Sequence, residues 1–277
     1  VVSADKEIKK RIGLIAGKGA LPETIANEAR LQGYVVIGIG LEPLAEKTLE
    51  SSVDEIRWVN IGKFGELIKT LKKLDIKDAL FAGKVSKELL YKSNITPDLR
   101  AIKLLFSLKN RSDDTIMLAI TEELRKENIR LLDITRFSKR IMAPEGILTS
   151  DKITDNEWKD IKFGWKIAKE IGRLDIGQTV VVKNQAVMSV EAIEGTDEAI
   201  RRGGNLSGGG AVVIKVSKPH QDMRFDVPVV GVDTIKTMSE VKARVLCIES
   251  NKCILLNKEH MIEEAKNYKI SIIGYSD

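Results

Sequence analysis

The stretch Ile12-Gly13-Leu14-Ile15-Ala16-Gly17-Lys18-Gly19-Ala20-Leu21-Pro22-Glu23-Thr24-Ile25-Ala26-Asn27-Glu28-Ala29 decides how the first half of the chain is read. Its apolar run has strand length, and a parallel strand covered on both faces is apolar throughout. The run stops at Gly17-Lys18-Gly19. A helix is expected next, with Pro22 and Glu23 in its first turn and Gly33 where it ends. The same alternation continues: strands are expected at 34–39, 55–59, 79–82 and 131–134, and helices at 64–74, 99–108 and 115–127. Before the last of these helices, Ser112 or Asp113 is placed to cap it. Repeated β-α-β units predict an N-terminal Rossmann-like domain over 1–140, a parallel sheet with helices on its faces.

The pattern changes after Lys139. Ala143-Pro144-Glu145-Gly146 and the residues up to Asp155 are polar and broken, which suggests a linker over 141–157. Beyond it a helix is expected at 157–171, then short strands at 179–183, 186–192, 211–216, 245–249 and 253–256. Helices are expected at 197–202 and 258–268. The region 158–277 therefore reads as a mixed α+β domain unlike the first, and the whole as an α/β chain of two domains. Gly203-Gly204-Asn205-Leu206-Ser207-Gly208-Gly209-Gly210 is too rich in glycine to look regular, and reads as a loop over a site or a connector.

Composition narrows the function classes. The 277 residues are 43% hydrophobic and 31% charged, which excludes a disordered or collagen-like chain. Forty-five basic and 40 acidic residues leave a net charge of +5, and the charges are interspersed rather than clustered, so nucleic acid is not expected as a partner. No apolar run approaches the ~20 residues that cross a bilayer. Nor does VVSADKEIKKR hold an apolar core of signal-peptide length, so export is not expected. The two cysteines flank Ser250-Asn251; a two-residue hairpin turn there sends Cys247 and Cys253 to opposite faces. Unbridged thiols fit a cytoplasmic location.

Several residues have the chemistry of a phosphate site. Gly17-x-Gly19 between a strand and a helix places backbone N–H groups and a positive helix end together, which suits a phosphate or diphosphate. It is not a dinucleotide fingerprint, because Pro22 occupies the third glycine position. Gly83-Lys84 ends another strand at the edge where open α/β sheets bind ligands. In the second half Asp175 reads as a turn residue, Thr196 as a helix cap, and Glu191 as a carboxylate inside an apolar strand, where burial demands a partner. Glu194 and Asp197 follow closely. The segment 215–228 then gathers Lys218, Gln221, Asp222, Arg224 and Asp226. Two carboxylates with water and phosphate oxygens suit Mg²⁺, and Lys218 and Arg224 suit charge neutralisation on a phosphoryl group. Taken singly, each of these residues is more often a surface ion-pair partner; together with Glu191, Glu194 and Asp197 they read as a site. With only His220 and His260 and no Cys-x-x-Cys, zinc is not expected; no Gly-x-Ser-x-Gly elbow or P-loop occurs.

Several strings together carry a family resemblance: GLIAGKGALP (13–22), FAGKV (81–85), SDDTIMLAI (112–120), APEGILT (143–149), DIGQTVVV (175–182), VEAIEGTD (190–197) and KPHQDMRFDVPVVG (218–231). In this order they resemble the LpxI-type UDP-2,3-diacylglucosamine pyrophosphatases over nearly the whole chain. The resemblance implies two linked domains with the lipid-bearing substrate between them. It also implies Mg²⁺-dependent hydrolysis of the diphosphate to UMP and 2,3-diacylglucosamine 1-phosphate (lipid X), a step of lipid A synthesis. Asp222 and Asp226 are then the catalytic pair, with Glu191, Glu194 and Asp197 completing the metal shell. Substrate contacts fall to Lys218, Gln221 and Arg224, to Gln178 and Thr196, and on the first domain to Gly17, Gly19, Gly83 and Lys84. His220 departs from the family pattern, which has glycine there. An acylated substrate leaves room for a peripheral place at the inner-membrane surface, and the family leaves room for a homodimer. Two other classes remain open on the residues alone, a nucleotide-cofactor oxidoreductase and a non-catalytic binder of UDP-sugar or lipid.

Overall fold

The computed structural model describes residues 10–85, 96–108, 113–149 and 152–277. Two compact units divide them. One runs to Ser138 and includes Met223–Phe225; the other holds Lys139–Asp222 and Asp226–Asp277.

The first unit contains β1 (Arg11–Ala16), α1 (Leu21–Leu31), β2 (Val35–Glu42), β3 (Glu55–Asn60), α2 (Phe64–Lys73), β4 (Asp78–Ala82), α3 (Leu99–Ser107), α4 (Asp113–Lys126), β5 (Arg130–Leu131) and α5 (Thr135–Ser138). The strands form one sheet in the order β3-β2-β1-β4-β5, parallel throughout. Strand order reverses between β1 and β4, and ligands of open α/β sheets bind outside the carboxyl ends at such a switch. Apolar residues on both faces of β1, β2 and β4 explain the parallel arrangement: Ile12, Leu14 and Ile15 are fully buried, as is Ile39. The capping expected at Ser112 and Asp113 falls outside the described residues and side chains.

The second unit contains β6 (Gly146–Ile147), α6 (Asp155–Arg173), β7 (Thr179–Lys183), β8 (Ala186–Val190), α7 (Thr196–Ser207), β9 (Val212–Lys215), β10 (Val229–Val230), α8 (Val232–Glu240), β11 (Val245–Glu249), β12 (Ile254–Leu255), α9 (Lys258–Asn267) and β13 (Ser271–Tyr275). Its six-stranded sheet has the order β6-β13-β11-β9-β7-β8. β9, β11 and β13 are parallel, while β7, β8 and β6 run antiparallel to their neighbours. Helix α6 covers one face, where Trp165 and Ala168 pack with Val180, Val182 and Ile214. On the other face Val181, Val213 and Leu246 pack with Ile200, Met238 and Met261 of α7, α8 and α9. Two covered faces account for the near-uniform valine of β7 and β9.

Three local expectations meet structure of their own. Within 141–157, the stretch read as a linker, β6 pairs with β13, Met142 bridges Ile254, and Thr154 with Glu157 forms a capping box that starts α6 two residues earlier than expected. No hairpin joins the cysteines, because β11 pairs with β9 and β13 while β12 leaves the sheet to pair with β10. The glycine-rich stretch is no loop at its start. Gly203 and Gly204 lie within α7, and a Cβ on Gly203 meets Val181 Cβ at 2.6 Å, one on Gly204 meets Val241 Cγ2 at 2.2 Å. Only Gly208, Gly209 and Gly210 leave the helix, all with positive φ, as a glycine C-cap does. Sequence reasoning also passed over β13, a short apolar run, and α8; α8 buries Thr234 and Thr237 beside Ile235 and Met238, which blurs its apolar stripe.

Two outcomes are expected. Gly203→Ala gains about 1 kcal/mol of helix propensity but overpacks against Val181 and Ser189, with a cost of about 1–3 kcal/mol; thermal unfolding should show a lower Tm. Burial alone pushes the Cys247 thiol up, and burial chiefly pushes Cys253 up to about 12. Both should therefore resist alkylation at pH 8 in the native protein and react once urea unfolds it.

Candidate functional site

In the second unit, the carboxyl ends of β9 and β11 share one edge of the sheet with the start of β7 and the end of β8. Antiparallel pairing sets this register: Thr179 lies opposite Lys215, and Val180 opposite Val190. Gln178, Glu191, Thr196, Lys215, Ser217 and Glu249 therefore converge at that edge, though they are scattered along the chain.

Glu191 is the centre of the arrangement. Its carboxylate is buried, and it accepts from the Gln178 backbone N–H at 3.3 Å and from the Thr196 hydroxyl at 2.9 Å. The Thr196 hydroxyl in turn accepts from Lys215 Nζ at 2.8 Å. So Thr196 does not cap its helix; Gly195, with φ of 85°, holds the N-cap position and Thr196 is the first helical residue. The Glu191 backbone comes so close to Gly177 that a Cβ there would lie 2.1 Å from the Glu191 carbonyl oxygen.

The segment after β9 is tied into the same group. Val216 N–H donates to the Gln178 carbonyl at 2.9 Å, and Gln221 Nε2 to Gln178 Oε1 at 3.4 Å. Gln221 Oε1 accepts from the Lys218 backbone N–H at 2.9 Å, and Lys218 Nζ donates to Asp175 Oδ1 at 2.6 Å. Asp175 is the turn residue expected, in the left-handed region at φ of 55°. One strand over, Glu249 accepts from Ser217 N–H at 2.8 Å and from Lys169 Nζ at 2.9 Å. Asp226 N–H donates to the Asp222 carbonyl at 2.9 Å, so both aspartates stand at the ends of a single turn.

Of the five proposed metal ligands, Glu191 is engaged as described. Glu194 is held by the Ala192 N–H and by Arg202, which also donates to the Val190 carbonyl. Its own backbone N–H first, and then the Arg202 guanidinium, keep its carboxyl below the usual range. Asp197 lies in the first turn of α7, where a carboxylate complements the helix dipole. Among the described residues, no three His, Cys, Asp or Glu side chains gather to hold a metal ion. One or two carboxylates with water and phosphate oxygens make the usual shell of Mg²⁺, a number that the Asp222–Asp226 pair matches.

Gly17, Gly19, Gly83, Lys84 and Arg224 belong to the first unit. There Gly17 N–H donates to the Ala82 carbonyl at 2.8 Å, and Lys18 and Lys84 exchange two backbone bonds at 2.9 Å each. The expected phosphate cradle thus spends those three donors on the β1 and β4 loops. Glycine is required because a Cβ on Gly17 would lie 2.7 Å from the Lys84 carbonyl oxygen. Sequence reasoning passed over Lys215, Ser217 and Glu249. A lysine ending an apolar strand reads as solvent-facing, and only the carboxylate of Glu249 near a phosphate motif could have drawn attention.

The order of motifs along the chain agrees with comparison to known proteins. A family model described as the LpxI N-terminal domain matches residues 11–141, and one described as the LpxI C-terminal domain matches 144–273. The chain belongs to the LpxI family. A relative from Caulobacter vibrioides named UDP-2,3-diacylglucosamine pyrophosphatase LpxI is 31% identical over 276 residues, covering 96% of this chain and 97% of that protein. Solved structures align more weakly. WbmH from Bordetella bronchiseptica in complex with NAD+ gives a TM-score of 0.29 at 12% identity, over 44% of this chain and 37% of that one. Phosphoribosylglycinamide synthetase from Anaerococcus prevotii gives 0.28 at 16%, over 69% and 34%. At such scores neither bears on function.

Gly177→Ala should displace the Glu191 backbone, because no side chain can yield there. A cost of about 1–3 kcal/mol is expected, with a Tm lower by roughly 2–4 °C per kcal/mol; differential scanning calorimetry checks it.

Proposed function

We propose that the chain hydrolyses the diphosphate of UDP-2,3-diacylglucosamine to UMP and 2,3-diacylglucosamine 1-phosphate, in the synthesis of lipid A. The observation that carries this reading is the full-length match to the LpxI family and to a relative named for that activity. The site supports it with the chemistry such a reaction needs. Water must add to a phosphorus as the bridging P–O bond breaks, and the negative oxygens already on the diphosphate repel it. Catalysis therefore requires neutralised charge and an oriented water.

Asp222 and Asp226 would hold Mg²⁺, which when bound neutralises diphosphate oxygens. A carboxylate of the same pair is suited to take the proton of the attacking water. Lys218 supplies a cation at the site; in this structure it is occupied by Asp175, an exposed and easily exchanged partner. Gln221 and Gln178 offer amide groups for orientation. The acylated substrate resides in a membrane, so a peripheral encounter with the inner-membrane surface goes with this reading; among the described residues no helix is long and apolar enough to cross one.

The test is UMP release from UDP-2,3-diacylglucosamine with Mg²⁺ and with EDTA, and with UDP-N-acetylglucosamine as the non-acylated control. Release from the acylated substrate alone, abolished by EDTA, is expected. Asp222→Ala and Asp226→Ala should each lower kcat at least about 100-fold, the scale of losing a proton-transfer or charge-stabilising group, while substrate binding persists. Absence of UMP from a folded wild-type protein overturns the assignment.

A further inference from the structure

Lys215 breaks a local rule. It ends the strand Val212–Lys215, shares a face with Val213, and is only 5% exposed. A buried ammonium is costly unless paired and fully hydrogen-bonded. Yet its one hydrogen bond among the described residues is to the Thr196 hydroxyl, at 2.8 Å. Across the β7–β9 pair stands Thr179, fully buried, whose Oγ1 has no hydrogen-bond partner among the described residues. A methionine or leucine would fill the position without desolvating a charge. Such departures from local consistency are expected at functional sites.

We propose that Lys215 is a positioning residue for the reaction proposed above, on which this inference rests. Because the ammonium only donates, the Thr196 oxygen must accept from it, and the Thr196 proton is directed to Glu191 Oε1. Glu191 Oε2 then holds the Gln178 N–H, and Gln178 holds Gln221 and the backbone of Val216. Lys215 thus anchors a relay that starts under α7 and ends at the Lys218–Asp222 segment. The cation also balances the buried Glu191 carboxylate through one hydroxyl, so removing either charge alone leaves the other uncompensated. This role asks of Lys215 no contact with substrate or reacting atoms.

Three variants separate positioning from mere support. Thr196→Val cuts the relay and keeps both charges. Lys215→Met with Glu191→Gln removes both charges together, so a buried ion is not stranded. Thr196→Ser restores the hydroxyl. The expected result is a 10- to 100-fold fall in kcat with KM within threefold for Thr196→Val, recovery in Thr196→Ser, and the same fall in the charge-free pair. Adding Thr196→Val to that pair should cost nothing further, since one relay cannot be cut twice. Wild-type kcat in folded Thr196→Val, or losses that multiply on combination, overturns the proposal. Hydrogen–deuterium exchange serves as the second readout and needs no substrate. The amides of Gln178, Lys218, His220, Gln221 and Asp222 should lose at least tenfold in protection in Thr196→Val, and unchanged protection overturns the relay. If the wild-type protein releases no UMP, the functional assignment falls on that result alone, while the exchange result still decides whether Lys215 positions this segment.

Discussion

A carboxylate removed from water must find hydrogen-bond donors, and the second unit is arranged around that constraint at Glu191. Its two oxygens are met by a backbone N–H from the start of β7 and by a hydroxyl from the first turn of α7. Both must come to it at fixed distance, which is why Gly177 has room for no side chain and why α7 begins at a glycine with positive φ. Lys215 then supplies the opposite charge from the adjoining strand. Sheet order, turn geometry and the first turn of a helix are thereby coupled through a single buried group.

The same edge joins structure to chemistry. Parallel strands β9 and β11 deliver Ser217, Lys218 and Glu249 where ligands of open α/β sheets bind. From there the chain continues into the turn that carries Asp222 and Asp226, whose backbone bond fixes their spacing. Glutamates nearby have a structural part as well. Glu191, Glu194 and Glu249 each accept a hydrogen bond from a backbone N–H and so hold the chain in place around this edge.

In the first unit β1 and α1 were legible because they carry their own signal: an apolar run, a glycine stop, and a helix start with Pro22 and Glu23. Motifs in the second unit were legible as a family pattern before any geometry was known. Less could be read where meaning depended on a distant neighbour. Gly203 and Gly204 look like loop residues, yet they are the face of a helix pressed on Val181 and Val241. Thr196 looks like a cap and is instead the middle of a relay. Cys247 and Cys253 look like the two arms of a hairpin, although their strands pair with different partners.

The sequence by itself determined the α/β class, the two unlike halves, the family and the set of polar residues from which a site is built. These follow from period, turn chemistry and local spacing, which act over a few residues. Tertiary structure decided which of those residues meet. Glu191 reaches Gln178 and Thr196 only because β7 and β8 are antiparallel, and Lys215 reaches Thr196 only because β9 lies beside β7. Strand order is set by the burial of both sheet faces, a property of the packed chain that no single segment contains.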